Sequence, residues 1–145
     1  MRKRTAARVL AIQALYQLDL RGETWREELE AFLKSSSKDE EVRLHAEELV
    51  EGIRARRDEI DAALTGAAEH WDISRMAALD RAILRLGAHE LLHRPEVPPK
   101  VAIDEAVRLA KKFSTAESGA FVNGILDRVM STHLPPAAKG QGRAL

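Results

Sequence analysis

The sequence predicts an all-α protein, and three observations carry this prediction. Apolar residues recur at helical spacing along most of the chain, no segment shows the apolar–polar alternation of a strand, and helix formers dominate the composition. The chain has 145 residues, of which 45% are apolar, 32% charged and 4% aromatic, and this length fits one domain with its own core. It contains no cysteine, which excludes disulfides and thiolate metal sites.

Six helices are predicted from the periodicity and from start and stop signals. They cover residues 5–20, 25–34, 39–64, 74–94, 100–113 and 118–130. Gly22 ends the first helix, Thr24 caps the second, and Pro95 stops the fourth. We expect a single domain over residues 1–134. The Pro/Gly-rich residues 135–145 are expected to be a disordered tail.

Charge is distributed unevenly along the chain. The formal net charge is zero, yet residues 1–21 sum to +4 and residues 23–51 to −6. A local cationic segment binds polyanions even in a neutral protein. The basic start resembles a signal peptide, but Arg8, Gln13 and Gln17 interrupt the apolar run, and no uninterrupted stretch of roughly 18–20 apolar residues exists. We therefore expect a cytoplasmic protein that does not cross a membrane.

The stretch HELLH, from His89 to His93, matches the H-E-x-x-H pattern in which two histidines bind zinc and the glutamate is the general base. Counting 100° per residue places Glu90 at the centre of the apolar face and the histidines on its flank. Pro95 ends the helix, no further histidine continues the motif, and no strand offers a substrate-binding edge. We expect a buried, hydrogen-bonded Glu90 and partly exposed histidines, with a zinc-dependent hydrolase as the minor alternative.

The stretch FVNGIL, at residues 121–126, places Asn123 and Gly124 inside an apolar helix, where glycine costs roughly 1 kcal/mol relative to alanine. Such a local conflict indicates either packing or function. In the first interpretation Gly124 lets another helix approach closely. In the second, Asn123 and the exposed edge of Phe121 meet a ligand.

Four stretches together resemble the NusB family of bacterial transcription antitermination factors. They are RKRTAARVLAIQALY at 2–16, LDRAILRLGAHELL at 79–92, VPPKVAIDEAVRLAKKFS at 97–114 and SGAFVNGILDRV at 118–129. The similarity covers nearly the whole chain in the same order, except for residues 22–71 and the tail. Family members are bundles of two three-helix halves, so the resemblance implies a compact bundle of about six to seven helices. It implies no enzymatic activity, no cofactor and no metal.

The resemblance also implies partners and site residues. Members pair with the ribosomal protein NusE to hold the boxA element of nascent ribosomal RNA, so the implied partners are single-stranded boxA-like RNA, NusE and the RNA polymerase antitermination complex. Basic residues would contact phosphates, and aromatic and amide side chains would contact bases. The implied RNA-binding residues are Arg2, Lys3, Arg4, Arg8, Tyr16, Phe121 and Asn123. The implied NusE-binding residues are Tyr16, Asp80 and Glu117.

This sequence departs from the family at three positions. The site residues named above also have simpler structural interpretations. Thr5, Ala6 and Ala120 stand where relatives often carry basic residues, so RNA affinity without the partner is expected to be weak. Tyr16 fits a core position, and the charged residues fit a solvated terminus and helix surfaces. A further alternative, the RNA-binding appendage of an RNA methyltransferase, requires a strand–Gly-loop–helix unit, for which this chain has no strand.

Overall fold

A computed structural model describes residues 2–136, and within this range every regular element is helical, which confirms the predicted class. The α-helices are α1 (Lys3–Arg21), α2 (Leu29–Ser36), α3 (Glu40–Ala55), α4 (Arg57–Ala67), α5 (Ala78–His93), α6 (Pro99–Phe113) and α7 (Ala116–His133). Short 3₁₀ segments, Glu23–Glu28 and Ile73–Arg75, precede α2 and α5. None of these described helices is long and apolar enough to span a membrane. Most of the predicted disordered tail, residues 137–145, lies outside the described residues.

The first helix forms where the periodicity predicts it. α1 buries a face rich in small side chains, including Ala7, Ala11 and Ala14, which lets α3 and α5 pack closely against it. The helix ends at Gly22, whose φ of 83° is favourable only for glycine and whose N–H donates to the carbonyl of Leu18. The sequence therefore specifies this helix and its end.

The predicted start of the second helix is wrong. Residues 23–28 form a 3₁₀ segment in which Thr24 makes no capping hydrogen bond, and the α-helix begins only at Leu29. Trp25 lies in this segment, where its buried ring packs edge-on against Phe32 with 5.5 Å between the centroids. The 3₁₀ segment thus contributes to the core without the expected cap.

The long helix predicted over residues 39–64 is interrupted at Arg56, where φ is −115° and ψ is 21°. Asp39 caps the first part, as its carboxylate accepts hydrogen bonds from the N–H groups of Glu41 and Val42. No glycine or proline marks the break. The charge pattern indicates the start of a new helix instead. The first turn of α4 contains two acidic residues, Asp58 and Glu59, which the helix dipole favours at that end.

Helix α5 lies at the centre of the bundle. Every residue from Ala82 to Leu91 is buried, and the helix contacts α1, α3, α4, α6 and α7. The helix begins at Ala78 and not at Ser74, because Ser74 belongs to a 3₁₀ turn capped by Asp72 at 2.9 Å. Arg81 holds that turn by donating to three of its backbone carbonyls. Arg81 also pairs with a carboxylate of α1.

The last two helices begin at residues that suit helix starts. Pro99 is the first residue of α6, a position where its missing N–H carries no cost. Thr115 caps α7, since its hydroxyl accepts a hydrogen bond from the Ser118 N–H at 3.0 Å. The predicted start near Ser118 is therefore two residues late.

The helices form two groups joined by α5. α1, α2 and α3 pack together, while α4, α5, α6 and α7 form the second group, so the break at Arg56 adds a fourth helix to the expected three. α1 and α5 are antiparallel, because Arg8 pairs with Glu90 at one end and Asp19 with Arg81 at the other. α1 meets α6 through Glu105 of α6.

A charged cluster lies inside this bundle. Arg8 of α1 and Glu90 of α5 are each only 2% exposed, and the guanidinium donates to both carboxylate oxygens at 2.9 and 3.0 Å. Glu105 lies 3.4 Å from the same guanidinium and accepts a hydrogen bond from the Thr5 hydroxyl at 2.9 Å. Bidentate pairing of this kind is among the strongest polar contacts. The prediction that Glu90 is buried and hydrogen-bonded is confirmed.

Replacing Glu90 by glutamine should destabilise the protein strongly, because Arg8 would keep only Glu105 as a charged partner and would lose one acceptor oxygen at position 90. Removing one member of a buried ion pair costs about 3–5 kcal/mol, so we expect Glu90→Gln to lower the free energy of unfolding by about 3 kcal/mol in urea denaturation. The double variant Arg8→Met, Glu90→Leu should recover part of this loss. A Glu90→Gln protein as stable as the wild type would contradict the structural role.

Candidate nucleic-acid and protein interface

The start of α1 carries three exposed basic residues, Arg2, Lys3 and Arg4, which we call the cationic patch. Lys3 Nζ lies 2.9 Å from a carboxylate oxygen of Glu41 and 3.3 Å from one of Asp39, both at the start of α3. Hydrogen bonds to Glu41 and then to Asp39 raise the pKa of Lys3. The two arginines form no ion pair with any residue between 2 and 136. They can therefore bind an external anion without breaking an ion pair.

Arg8 departs from the sequence prediction. It was expected to be a flexible cation that contacts RNA phosphate, but its side chain is 3% exposed and is held between Glu90 and Glu105. A guanidinium in this position cannot reach a phosphate without breaking the buried pair. Arg8 therefore fixes α1 in the bundle and is not part of the cationic patch.

A second feature is an open groove of about 690 Å³ between the turn before α5 and the start of α7, which we call the aromatic groove. Phe121 is half-buried in it and meets Trp71 edge-on, with 5.0 Å between the ring centroids and 74° between the rings. Trp71 is 59% exposed, which is unusual for so large an apolar side chain. The groove is lined by His70, Trp71, Asp72, Arg75, Met76, Ala77, Asp80, Thr115, Glu117, Ser118 and Phe121.

The two carboxylates predicted for a protein partner lie in this groove together with Phe121. Asp80 accepts a hydrogen bond from the Ser118 hydroxyl at 3.1 Å, which connects α5 to α7. Glu117 lies exposed in the first turn of α7. The structure thus brings together Asp80, Glu117 and Phe121, which are up to 41 residues apart in the sequence.

The remaining predicted site residues lie beside these features. Tyr16 is half-buried on α1, and Asn123 is exposed on α7, but neither lines the aromatic groove. Gly124 is also exposed, and a Cβ added there would meet nothing within 4 Å. The interpretation that Gly124 admits a neighbouring helix is therefore wrong.

Sequence reasoning missed Trp71. It stands in the weakly patterned stretch before α5, where no periodicity singles it out. An isolated tryptophan next to His70 and Asp72, outside any apolar stripe, was the available signal. Such residues are enriched at the centres of binding interfaces.

The HELLH stretch belongs to the core. Glu90 is engaged by Arg8, and His89 is buried, so the expectation that both histidines are partly exposed is wrong for His89. The ring of His89 packs on Gly52 of α3, where a Cβ would lie 2.9 Å from its Cε1 atom. Burial lowers the pKa of His89 to about 4, and the nearby His93 adds to the effect. Within residues 2–136, no three His, Cys, Asp or Glu side chains are grouped to hold a metal ion.

A helical bundle with exposed, largely unpaired arginines at one end and a separate acidic–aromatic groove is typical of a protein that binds a polyanion and a protein partner. This chain belongs to the NusB family, whose model matches residues 5–131.

Similar proteins support the same assignment. The chain is 47% identical over 133 residues to the transcription antitermination protein NusB of Myxococcus xanthus strain DK1622, covering 89% of this chain and 95% of that protein. A solved structure of NusB from T. maritima is 34% identical, with a TM-score of 0.80 over 95% of this chain and 96% of that one. A structure of the antitermination factors NusB and NusE in complex with double-stranded RNA is 31% identical, with a TM-score of 0.81 over 92% and 99% of the respective chains.

His89 should make stability depend on pH. Its pKa is about 4 in the folded protein and about 6.5 in the unfolded chain, so only the unfolded chain takes up a proton as the pH falls through 6.5. The contribution is present above pH 6.5 and is lost as the pH falls towards 4. Between pH 7 and pH 5 we expect a loss of about 1–2 kcal/mol in the free energy of unfolding, measured by urea denaturation.

The substitution His89→Gln should remove this part of the pH dependence, whatever its effect on stability at pH 7. His133→Gln, at an exposed position of α7, is the matched control and should retain the wild-type profile. Identical pH profiles for His89→Gln and the wild type would show that His89 is not the group responsible.

Proposed function

We propose that this chain is an RNA-binding transcription antitermination factor that pairs with NusE and binds the boxA element of nascent ribosomal RNA in the RNA polymerase antitermination complex. Family membership over residues 5–131 is the observation that carries the proposal. The related complex of NusB, NusE and double-stranded RNA supports both kinds of partner. In this function the chain is a cytoplasmic binding protein without a catalytic step, and residues 1–134 act as one domain.

The cationic patch supplies affinity for RNA in this proposal. Arg2 and Arg4 are exposed and unpaired among the described residues, so each can neutralise a phosphate and release counterions. Lys3 first has to leave Glu41 and Asp39, which makes it the weaker contact. Phosphate contacts of this kind position an RNA strand but do not select its sequence.

The aromatic groove is the proposed contact for NusE. The carboxylates of Asp80 and Glu117 repel phosphate and favour basic or hydrogen-bond-donating groups of a protein. Trp71 adds a rigid apolar surface in the same groove, as protein interfaces use at their centres. Tyr16 is assigned to the edge of this contact from α1.

Selectivity for boxA is assigned to Phe121 and Asn123, with Tyr16 as a further base contact. Unpaired bases are bound by stacking on aromatic rings and by hydrogen bonds to their edges. The Asn123 amide is exposed on α7 and can both donate and accept such bonds. Phe121 offers the part of its ring that Trp71 leaves uncovered.

Titration with NusE tests the function itself. A labelled boxA-like single strand, a scrambled strand and a duplex are each titrated with this protein, with and without NusE. We expect NusE to tighten binding to the boxA-like strand by about 5- to 150-fold, the usual range for coupled binding sites. The scrambled strand should gain less, since it lacks the base contacts. If NusE changes none of these affinities, the proposed function is wrong.

Substitutions separate the two kinds of RNA contact. Replacing Arg2 and Arg4 by alanine should weaken binding to boxA-like and scrambled strands about equally and lower the salt dependence by roughly 0.7 log unit per lost contact. Phe121→Ala should weaken the boxA-like strand preferentially, by about 1–3 kcal/mol for a lost stacking contact, and Asn123→Ala should act in the same direction.

Circular dichroism provides the control for this experiment, because Phe121 also packs against Trp71. Variants that keep the wild-type helix content and melting temperature are compared by fluorescence anisotropy at several salt concentrations. Arginine variants that lose selectivity, together with Phe121 and Asn123 variants that keep it, would refute this division of roles.

A further inference from the structure

A third feature is a groove of about 620 Å³ between α1 and α6, which we call the α6 groove. α1 and α6 run in the same direction on its two sides, since Thr5 binds Glu105 near one end and Val9 and Leu109 line it one turn further along. The groove is lined by Arg2, Thr5, Val9, Val101, Asp104, Glu105, Arg108, Leu109 and Lys112.

Unpaired cations line both sides of the α6 groove. Arg2 lies on the α1 side, and Arg108 and Lys112 are exposed on the α6 side, one helical turn or about 6 Å apart. None of the three forms an ion pair with a described residue, and Lys112 Nζ lies 5.4 Å from the centroid of the Phe113 ring, a cation–π contact at the protein surface. Opposing charge is limited, because Glu105 is engaged by buried Arg8 and only Asp104 is a free acid in the lining.

The α6 groove is continuous with the cationic patch, because Arg2, Thr5 and Val101 line both this groove and the cavity at the patch. Pro98 and Val101, at the start of α6, line a cavity together with Arg2 and Arg4 of the cationic patch. The other end of α6 lies against the start of α7, where Lys111 packs over Gly119. α6 has 15 residues and spans about 22 Å. A strand bound at the cationic patch can therefore continue along this helix towards the start of α7.

We propose that the α6 groove binds the sugar–phosphate backbone of single-stranded RNA next to the cationic patch, with Arg108 and Lys112 as phosphate contacts. This inference rests on the proposed RNA-binding function. The two side chains supply positive charge in the groove that Thr5 lines, where α1 itself carries none beyond Arg2. Because a cation contributes through counterion release, these contacts add affinity for any single strand and no sequence selectivity.

The test compares salt dependences of RNA binding by the full chain with NusE present. Arg108→Gln with Lys112→Gln should lower the slope of log K against log salt by about 1.4, which corresponds to roughly 10- to 30-fold weaker binding at 0.1 M salt. BoxA-like and scrambled strands should lose affinity equally. Asp104→Asn should act in the opposite direction and strengthen binding severalfold, because it removes the free acid of the groove.

The matched control is Arg21→Gln with Arg56→Gln, which removes the same charge from two exposed positions that do not line the α6 groove. A control with wild-type affinity supports the inference, whereas an equal loss would show that only net charge matters and would overturn it. Wild-type binding by the Arg108, Lys112 variant, together with weaker binding by Arg2→Gln, Arg4→Gln, would refute the α6 groove and leave the proposed function intact. If the wild type binds no strand even with NusE, both proposals are wrong.

Discussion

The buried contact between Arg8 and Glu90 is the constraint on which the rest of the structure depends. It joins the outer helix α1 to the central helix α5, and Glu105 brings α6 to the same point. Charges at this depth are tolerated only when nearly all their hydrogen bonds are made, so the contact permits one register of the three helices. The cationic patch ends four residues before Arg8, and its orientation follows from that register.

A second set of ion pairs fixes the opposite end of the same helices. Asp19 of α1 pairs with Arg81 of α5, and Arg85 binds Asp61 of α4 at 2.9 Å. Asp19 lies 11 residues beyond Arg8, about 16 Å along α1. Arg81 also orders the turn that lines the aromatic groove. The patch and the groove are therefore positioned at two ends of one clamped helix pair.

The sequence predicts most of this arrangement. The predictions are wrong, or missing, where contacts between distant residues determine the local structure. Periodicity locates the helices and places Glu90 in the core, because the apolar stripe of α5 is long. The basic residues around Arg8 predict a surface position for it. It nevertheless lies one turn before Ile12 on the apolar face of α1, and a buried Glu90 requires a cation. The break at Arg56 has no glycine or proline signal, and Trp71 stands outside any periodic stretch, so neither was predicted.

The conflict at Asn123 and Gly124 has no explanation inside the described part of the chain. Both residues are exposed on α7, and the space where a Gly124 side chain would lie is open to solvent. A glycine inside a helix costs roughly 1 kcal/mol relative to alanine, and Gly124 makes room for no neighbouring helix. A partner outside the chain that approaches the backbone at this position would explain why glycine stands there. Phe121, Asn123 and Gly124 stand within one turn of α7, beside the groove that holds Asp80 and Glu117. The local penalty thus falls at the surface where family membership leads us to expect partners.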